Sequence, residues 1–170
     1  TQRSLPRDLK PGHRLDRPTS GVVLCGAGRK ARAQIATWLS EHSEKRYLTL
    51  VAGAPTEDSG TFDTPLQDER RGRPLDAQTV YTVRQRLGGF TLLELQLVTG
   101  RKHQLRRHLA DAGMPVVGDK RYGPKRPQRV PGFPGRLWLH AWTLKVGERC
   151  IEAPLPQALA AHLEQLEGTL

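Results

Sequence analysis

Acidic residues are scarce in this chain. Seventeen Asp and Glu face 27 Lys and Arg over 170 residues, giving a net charge of +10 and a pI of about 10.3. That shortage points to a polyanionic partner. Cysteine is sparser still. Cys25 and Cys150 lie far apart in separate apolar runs, which excludes a metal-type pairing and a disulfide framework; reduced thiols in a cytosolic protein are the expectation. No apolar stretch approaches the roughly 20 residues that cross a bilayer, so no membrane association is expected. Thr1–Pro11 lacks the apolar core of a signal peptide. Hydrophobic residues reach only 36%, but they cluster in periodic runs, the pattern of a folded chain. No repeat, low-complexity tract or composition break divides the sequence, and this length suits one domain, 1–170, with a real core.

What is abundant is positive charge in one place. Gly100–Arg136 holds ten basic residues (Arg101, Lys102, Arg106, Arg107, Lys120, Arg121, Lys125, Arg126, Arg129 and Arg136) against two acids, Asp111 and Asp119, a local charge of +8. A solvated mixed-charge face would intersperse the signs. This stretch does not, and phosphate contact is the better reading.

The apolar pattern gives a coarse layout. Thr1–Gly12 reads as irregular. Val22–Leu24 reads as a short strand. Ala31, Ile35, Trp38 and Leu39 make one buried stripe of a helix over Arg29–His42. Lys45–Val51 is a strand and Pro55–Gly60 a loop. Ala77–Val98 is a hairpin turning at Gly88-Gly89, with Tyr81, Val83 and Leu87 on one face of its first arm. In its second arm Leu93, Leu95 and Leu97 alternate with Glu94 and Gln96 as a half-buried strand. His103–Ala112 is a helix stopped by Gly113. Arg121–Arg136 is a loop, Leu137–Val146 and Cys150–Ala153 are strands, and Gln157–Glu167 is an amphipathic helix carrying Leu159, Leu163 and Leu166. Strands dominate the middle with no βαβ rhythm. This predicts an α+β fold with a mixed, mostly antiparallel sheet flanked by helices.

Three segments carry chemistry-bearing residues. In His13-Arg14-Leu15-Asp16-Arg17-Pro18-Thr19-Ser20-Gly21 an aspartate sits between two arginines just before an apolar strand. Flanking cations favour a charged, nucleophilic carboxylate, although a lone Arg-Asp-Arg run is more often a surface ion pair. Lys45-Arg46-Tyr47-Leu48 opens a strand and is weak alone. In Thr99-Gly100-Arg101-Lys102-His103-Gln104-Leu105-Arg106-Arg107-His108-Leu109, a helix from His103 puts Leu105, Leu109 and Ala112 on one side. Arg106 borders that apolar face and Arg107 points to solvent. The bland reading is a basic helix touching phosphate.

Taken in order, HRLDRPTSG, KRY, TGRKHQLRRHL and GDKRYG resemble the RluA-type pseudouridine synthases from His13 to about Ala153. The resemblance implies isomerisation of uridine to pseudouridine in structured RNA, ribosomal or transfer, without metal or organic cofactor. It implies Asp16 as the catalytic aspartate, Tyr47 as the active-site tyrosine that stacks on the base or shares in proton transfer, and Arg106 as the arginine that pairs with Asp16. The basic residues expected on the RNA are Arg14, Arg17, Arg101, Lys102, His103, Arg107, Lys120, Arg121, Lys125, Arg126 and Arg129. A monomeric, cytoplasmic enzyme is expected. Members of the family usually begin with further strands and a Lys-Pro segment well upstream of HRLD; here Lys10-Pro11-Gly12 abuts His13, and the match is taken as coincidence. The expectation is a catalytic domain lacking N-terminal strands or a shortened relative.

Other classes fit less well. A non-catalytic RNA-binding module on the same scaffold would share the basic stretch but has no need of Asp16, Tyr47 and Arg106 together. A glycoside hydrolase needs a second carboxylate, and none lies in the three segments. A metal-dependent nuclease needs clustered ligands, whereas the six histidines are scattered.

Overall fold

The computed structural model describes residues 8–126 and 129–169. The chain runs β1 (Leu9–Pro11), β2 (Ser20–Gly21), β3 (Cys25–Ala27), α1 (Gly28–Glu41), β4 (Ser43–Ala52), β5 (Ser59–Phe62), β6 (Leu66–Asp68), β7 (Arg73–Leu75), β8 (Thr79–Leu87), β9 (Phe90–Leu97), α2 (Gln104–Asp111), β10 (Leu139–Val146), β11 (Arg149–Glu152) and α3 (Gln157–Glu167). A seven-stranded sheet takes the order β11-β10-β4-β9-β8-β5, and β2 adds to β10. Each pairing is antiparallel except β2 with β10, which is parallel. The expected mixed, mostly antiparallel architecture is what forms.

Cross-strand partners point to the same face. Ala141, Tyr47, Leu95 and Tyr81 are consecutive partners across β10, β4, β9 and β8, so they share one face. Leu105 and Leu109 of α2 join the core, as do Leu159 and Leu166 of α3. The buried indole of Trp138, in the same core, donates to Nδ1 of His162 on α3. A smaller apolar cluster of Ile35 and Leu39 from α1 with Leu144 of β10 anchors the β1–β3–α1 unit.

Several expectations need correction. Residues 1–7 of the segment read as irregular lie outside the described residues, but Leu9–Pro11 is a strand paired with β3. Pro11 is tolerated there because a two-stranded ribbon has edges that need no donor. Val22–Leu24 is not itself strand: β2 and β3 flank it, and Val22 and Leu24 instead pack on the α1 cluster. In α1, Ile35 and Leu39 are buried but Trp38 is 42% exposed, because the helix covers only a narrow strip of sheet. β9 is not half-buried: Phe90 to Leu95 are all buried, Glu94 included, since β9 lies between β4 and β8 and is covered on both faces. The hairpin β6–β7 went unread. Pro74 and three arginines give it poor strand propensity, and its position over the cleft only appears in three dimensions.

Candidate active site

The loop Gly12–Thr19 crosses the face of the sheet that bears Tyr47, and its course is set by short-range bonds. The Gly12 amide donates to the Leu24 carbonyl, and the Thr19 amide to that of Asp16, closing a turn around Arg17-Pro18. The Leu24 amide donates to Nε2 of His13. Burial, with Lys45 adding, pushes the His13 pKa down, which keeps that nitrogen available as an acceptor. β2 then locks the loop to β10. Nε2 of His140 faces the Ala153 carbonyl at 2.9 Å and must donate to it. Nδ1 is therefore the acceptor, and the Ser20 hydroxyl donates to it at 2.9 Å. Burial lowers the His140 pKa, which suits this neutral tautomer. Gly21 holds φ +127°, and a Cβ there would lie 2.1 Å from the Ala141 carbonyl oxygen. Only glycine lets β2 come this close to β10.

The segment leading into α2 is pinned by a buried side chain. Gln104 Oε1 accepts from the Arg101 amide and the Thr99 hydroxyl, and its Nε2 donates to the Gln78 carbonyl and Thr79 Oγ1. His103, just ahead of the helix, is held at φ 54°, the one non-glycine with positive φ among the described residues. That conformation costs about 1–2 kcal/mol and turns its ring toward Asp16.

These two segments and β4 meet in a cleft of about 1200 Å³, walled by α1 on one side and by α2 with β6–β7 on the other. Arg106 is buried. Its Nη1 lies 3.4 Å from Oδ2 of Asp16, while its Nε and Nη2 donate to Asp119 at 2.7 and 2.8 Å. Nε2 of His103 lies 3.7 Å from Oδ1 of Asp16, and its Nδ1 is 2.9 Å from the Tyr122 hydroxyl. Tyr122 packs with two guanidinium groups, Arg106 at 5.1 Å and Arg121 at 5.5 Å from the ring centre. Tyr47 lines the same cleft. Burial, reinforced by the negative charge of Asp16, pushes its phenol up to about 12, so it stays protonated and can donate a hydrogen bond or stack. Burial lowers the His103 pKa; Asp16 opposes that, and Arg106, Arg121 and Lys102 add to it.

Asp16, Tyr47, Arg106 and His103 are thus brought together, with Arg14, Arg101, Lys102, Arg107 and Arg121 around them. Arg17, Lys120, Lys125, Arg126 and Arg129 are exposed and stand outside the cleft lining. Arg107 is not simply solvent-facing: it is half-buried, and Nη1 donates to the Gln67 carbonyl on β6–β7. That hairpin carries Arg70 and Arg71 into the cleft wall. Sequence reading also missed Asp119, Tyr122 and Gln104 as parts of the site. The signal for Asp119 and Tyr122 was the GDKRYG string; in the structure Asp119 caps that turn, accepting from the amides of Arg121 and Tyr122. Among the described residues no group of three or more His, Cys, Asp or Glu side chains is placed to hold a metal ion. Nor is any helix among them long and apolar enough to cross a membrane.

Comparison with known proteins agrees on one family. Residues 1–111 match the family model described as RNA pseudouridylate synthase. The chain is 36% identical over 168 residues to tRNA pseudouridine synthase C of Salmonella typhi, covering 84% of this chain and 64% of that protein. It is 35% identical over 185 residues to ribosomal large subunit pseudouridine synthase C of Escherichia coli, covering 95% of this chain and 57% of that one. The chain therefore spans only about half to two thirds of the length of these relatives. In fold it is similar to the structure of human RNA pseudouridylate synthase domain containing 4, with a TM-score of 0.80 at 24% identity, covering 94% of this chain and 76% of that one.

Proposed function

We infer the function from one premise: the chain belongs to the RNA pseudouridylate synthase family. It isomerises uridines to pseudouridine in structured RNA, ribosomal or transfer, with Asp16 as the reacting carboxylate. The observation that carries this reading is the constellation in the basic cleft: a carboxylate touched by the buried guanidinium of Arg106 and facing a phenol that stays protonated.

The reaction breaks the bond from N1 of uracil to C1′ of the ribose, turns the base, and joins C5 to C1′; the hydrogen leaves C5 and a proton is gained at N1. Asp16 attacks either the base or C1′. A stacked uridine cannot reach a carboxylate recessed in a cleft, so the nucleotide is flipped out. Tyr47 then stacks on the base or hands it a hydrogen bond. Arg106 contacts Asp16 through Nη1 and orients it. Arg14, Arg101, Lys102, His103, Arg107 and Arg121 at the cleft, with Arg70 and Arg71 from the hairpin opposite, take the phosphates beside the flipped nucleotide. Arg17, Lys120, Lys125, Arg126 and Arg129 extend the contact outward. The domain works as a monomer and without a metal or cofactor, in the cytoplasm, where its RNA resides.

The test is tritium release from [5-³H]uridine-labelled transfer and ribosomal RNA, with the products mapped by carbodiimide primer extension. Release at defined uridines is expected. Tight RNA binding with no release would leave a non-catalytic RNA-binding module in its place.

A further inference from the structure

We propose that Asp119 is a positioning residue whose carboxylate holds Arg106 away from a two-bond embrace of Asp16, so that Asp16 is oriented yet free to react. The inference rests on Asp16 being the reacting group. A guanidinium offers carboxylates flat edges with two parallel donors each, and a bidentate pair is the tightest form of that contact. Asp119 has taken the edge made by Nε and Nη2, at 2.7 and 2.8 Å. Asp16 receives a single contact from Nη1 at 3.4 Å. A nucleophile locked by two charge-assisted bonds would have its lone pairs committed to Arg106. Asp119, with no solvent exposure of its side chain, fixes the orientation of the guanidinium, in which Nη1 alone reaches Asp16. Burial by itself would raise the Asp119 carboxyl; hydrogen bonds from Arg106 and from the amides of Tyr122 and Arg121 outweigh it and hold the group below its ordinary range. Those two amides belong to the turn that lays Tyr122 against Arg106 and sets its hydroxyl on His103. One carboxylate thus fixes both neighbours of Asp16.

The test is Asp119→Asn, which keeps an oxygen acceptor for the two amides and removes the charge. Asp119→Ser, which keeps a hydroxyl acceptor, serves if the first variant does not fold. Single-turnover and steady-state tritium release are measured well below the melting temperature, with Arg106→Ala and the double variant alongside. We expect kcat to fall about tenfold to a hundredfold with KM within about twofold, and the double variant to be no slower than Arg106→Ala. Wild-type kcat in the folded Asp119→Asn protein, or losses that multiply in the double variant, would overturn the proposal. The geometry is read without turnover. The Arg106 Nε–H signal in ¹⁵N NMR should exchange slowly in the wild-type chain and change in Asp119→Asn; an unprotected wild-type signal also overturns it. A wild-type chain inactive on RNA with a protected Arg106 signal defeats the assignment of function instead.

Discussion

Arg106 donates two hydrogen bonds to Asp119 and one long one to Asp16, ninety residues away in the chain. The arginine is therefore anchored by one carboxylate and merely touches the other, and this asymmetry decides how each of the three responds to substitution.

Arg106→Ala leaves the Asp119 carboxylate buried without its cation. Removing one partner of a buried pair costs about 3–5 kcal/mol, so this variant should melt well below the wild type and lose turnover per folded molecule. Arg107→Ala should keep most of its turnover. It loses a donor to the Gln67 carbonyl and a positive charge at the cleft wall, so RNA affinity should drop and the slope of log affinity against log salt should shrink by about one. Calorimetry and RNA titration across salt concentrations separate the two. Equal defects in both variants would contradict the burial difference.

Stability should fall as the pH drops from 7.5 to 5. His13, His103 and His140 all have folded pKa values below 6.5, burial being the leading cause in each. In the unfolded chain they take up protons near 6.5, whereas the folded chain resists until lower pH. Between those two values the unfolded state binds more protons, and stability declines with acidification. Asp119 contributes nothing in this window, because its stabilisation is lost only as the pH falls through its lowered folded value, below 3.8. The melting temperature should thus begin to decline below pH 6.5, before Asp119 is protonated. A flat profile from 7.5 to 5 would mean that the three imidazoles titrate freely.

Gly21→Ala should detach β2 from β10. The new Cβ would meet the Ala141 carbonyl oxygen at 2.1 Å and its carbon at 2.6 Å, on a backbone at φ +127°. Strain of this kind costs roughly 1–3 kcal/mol before any clash, and relief moves the loop that carries Asp16. Gly89→Ala is the control: its φ is +93°, but nothing lies within 4 Å of the new Cβ. The melting temperature should fall more for Gly21→Ala, and activity should fall beyond what lost stability explains. Matching effects would place the cost in backbone conformation alone.

Why some of this was legible in the sequence and some was not follows from the range of the interactions. Helix α3 was read with its true bounds, and α1 to within a residue, because their apolar residues repeat at helical spacing. Arg106 reads as inward-facing from its place beside Leu105 and Leu109. Asp16 and Tyr47 are candidates from motif strings, since nothing local distinguishes a loop aspartate or a strand tyrosine. Burial on both faces of β9 depends on which strands flank it, a tertiary property that its alternation of Leu with Glu94 and Gln96 conceals. Asp119 lies in the GDKRYG string, but its partner is thirteen residues upstream on a helix, and only packing joins them. Arg70 and Arg71 sit on a hairpin that periodicity could not detect.

Asp16→Asn should abolish pseudouridine formation while leaving the fold and RNA binding nearly intact. Asparagine keeps the shape of aspartate but is no nucleophile. Sequence alone suggests a stability cost, because Arg106 would lose its partner. The structure removes that cost, because Arg106 keeps both of its bonds to Asp119. Asp16 is itself only half-buried, and a partly exposed pair at 3.4 Å contributes less than about 1 kcal/mol. On the proposed function RNA affinity should hold or rise slightly, since the variant removes a negative charge from a cleft lined by arginines. An aspartate serving only the loop would behave in the opposite way, lowering the melting temperature while the folded fraction still turned over. Single-turnover tritium release, RNA titration and calorimetry on one preparation distinguish the two. Substantial turnover in a well-folded Asp16→Asn protein would remove Asp16 from the chemistry, and with it the reason for Arg106 and Asp119 to be arranged as they are.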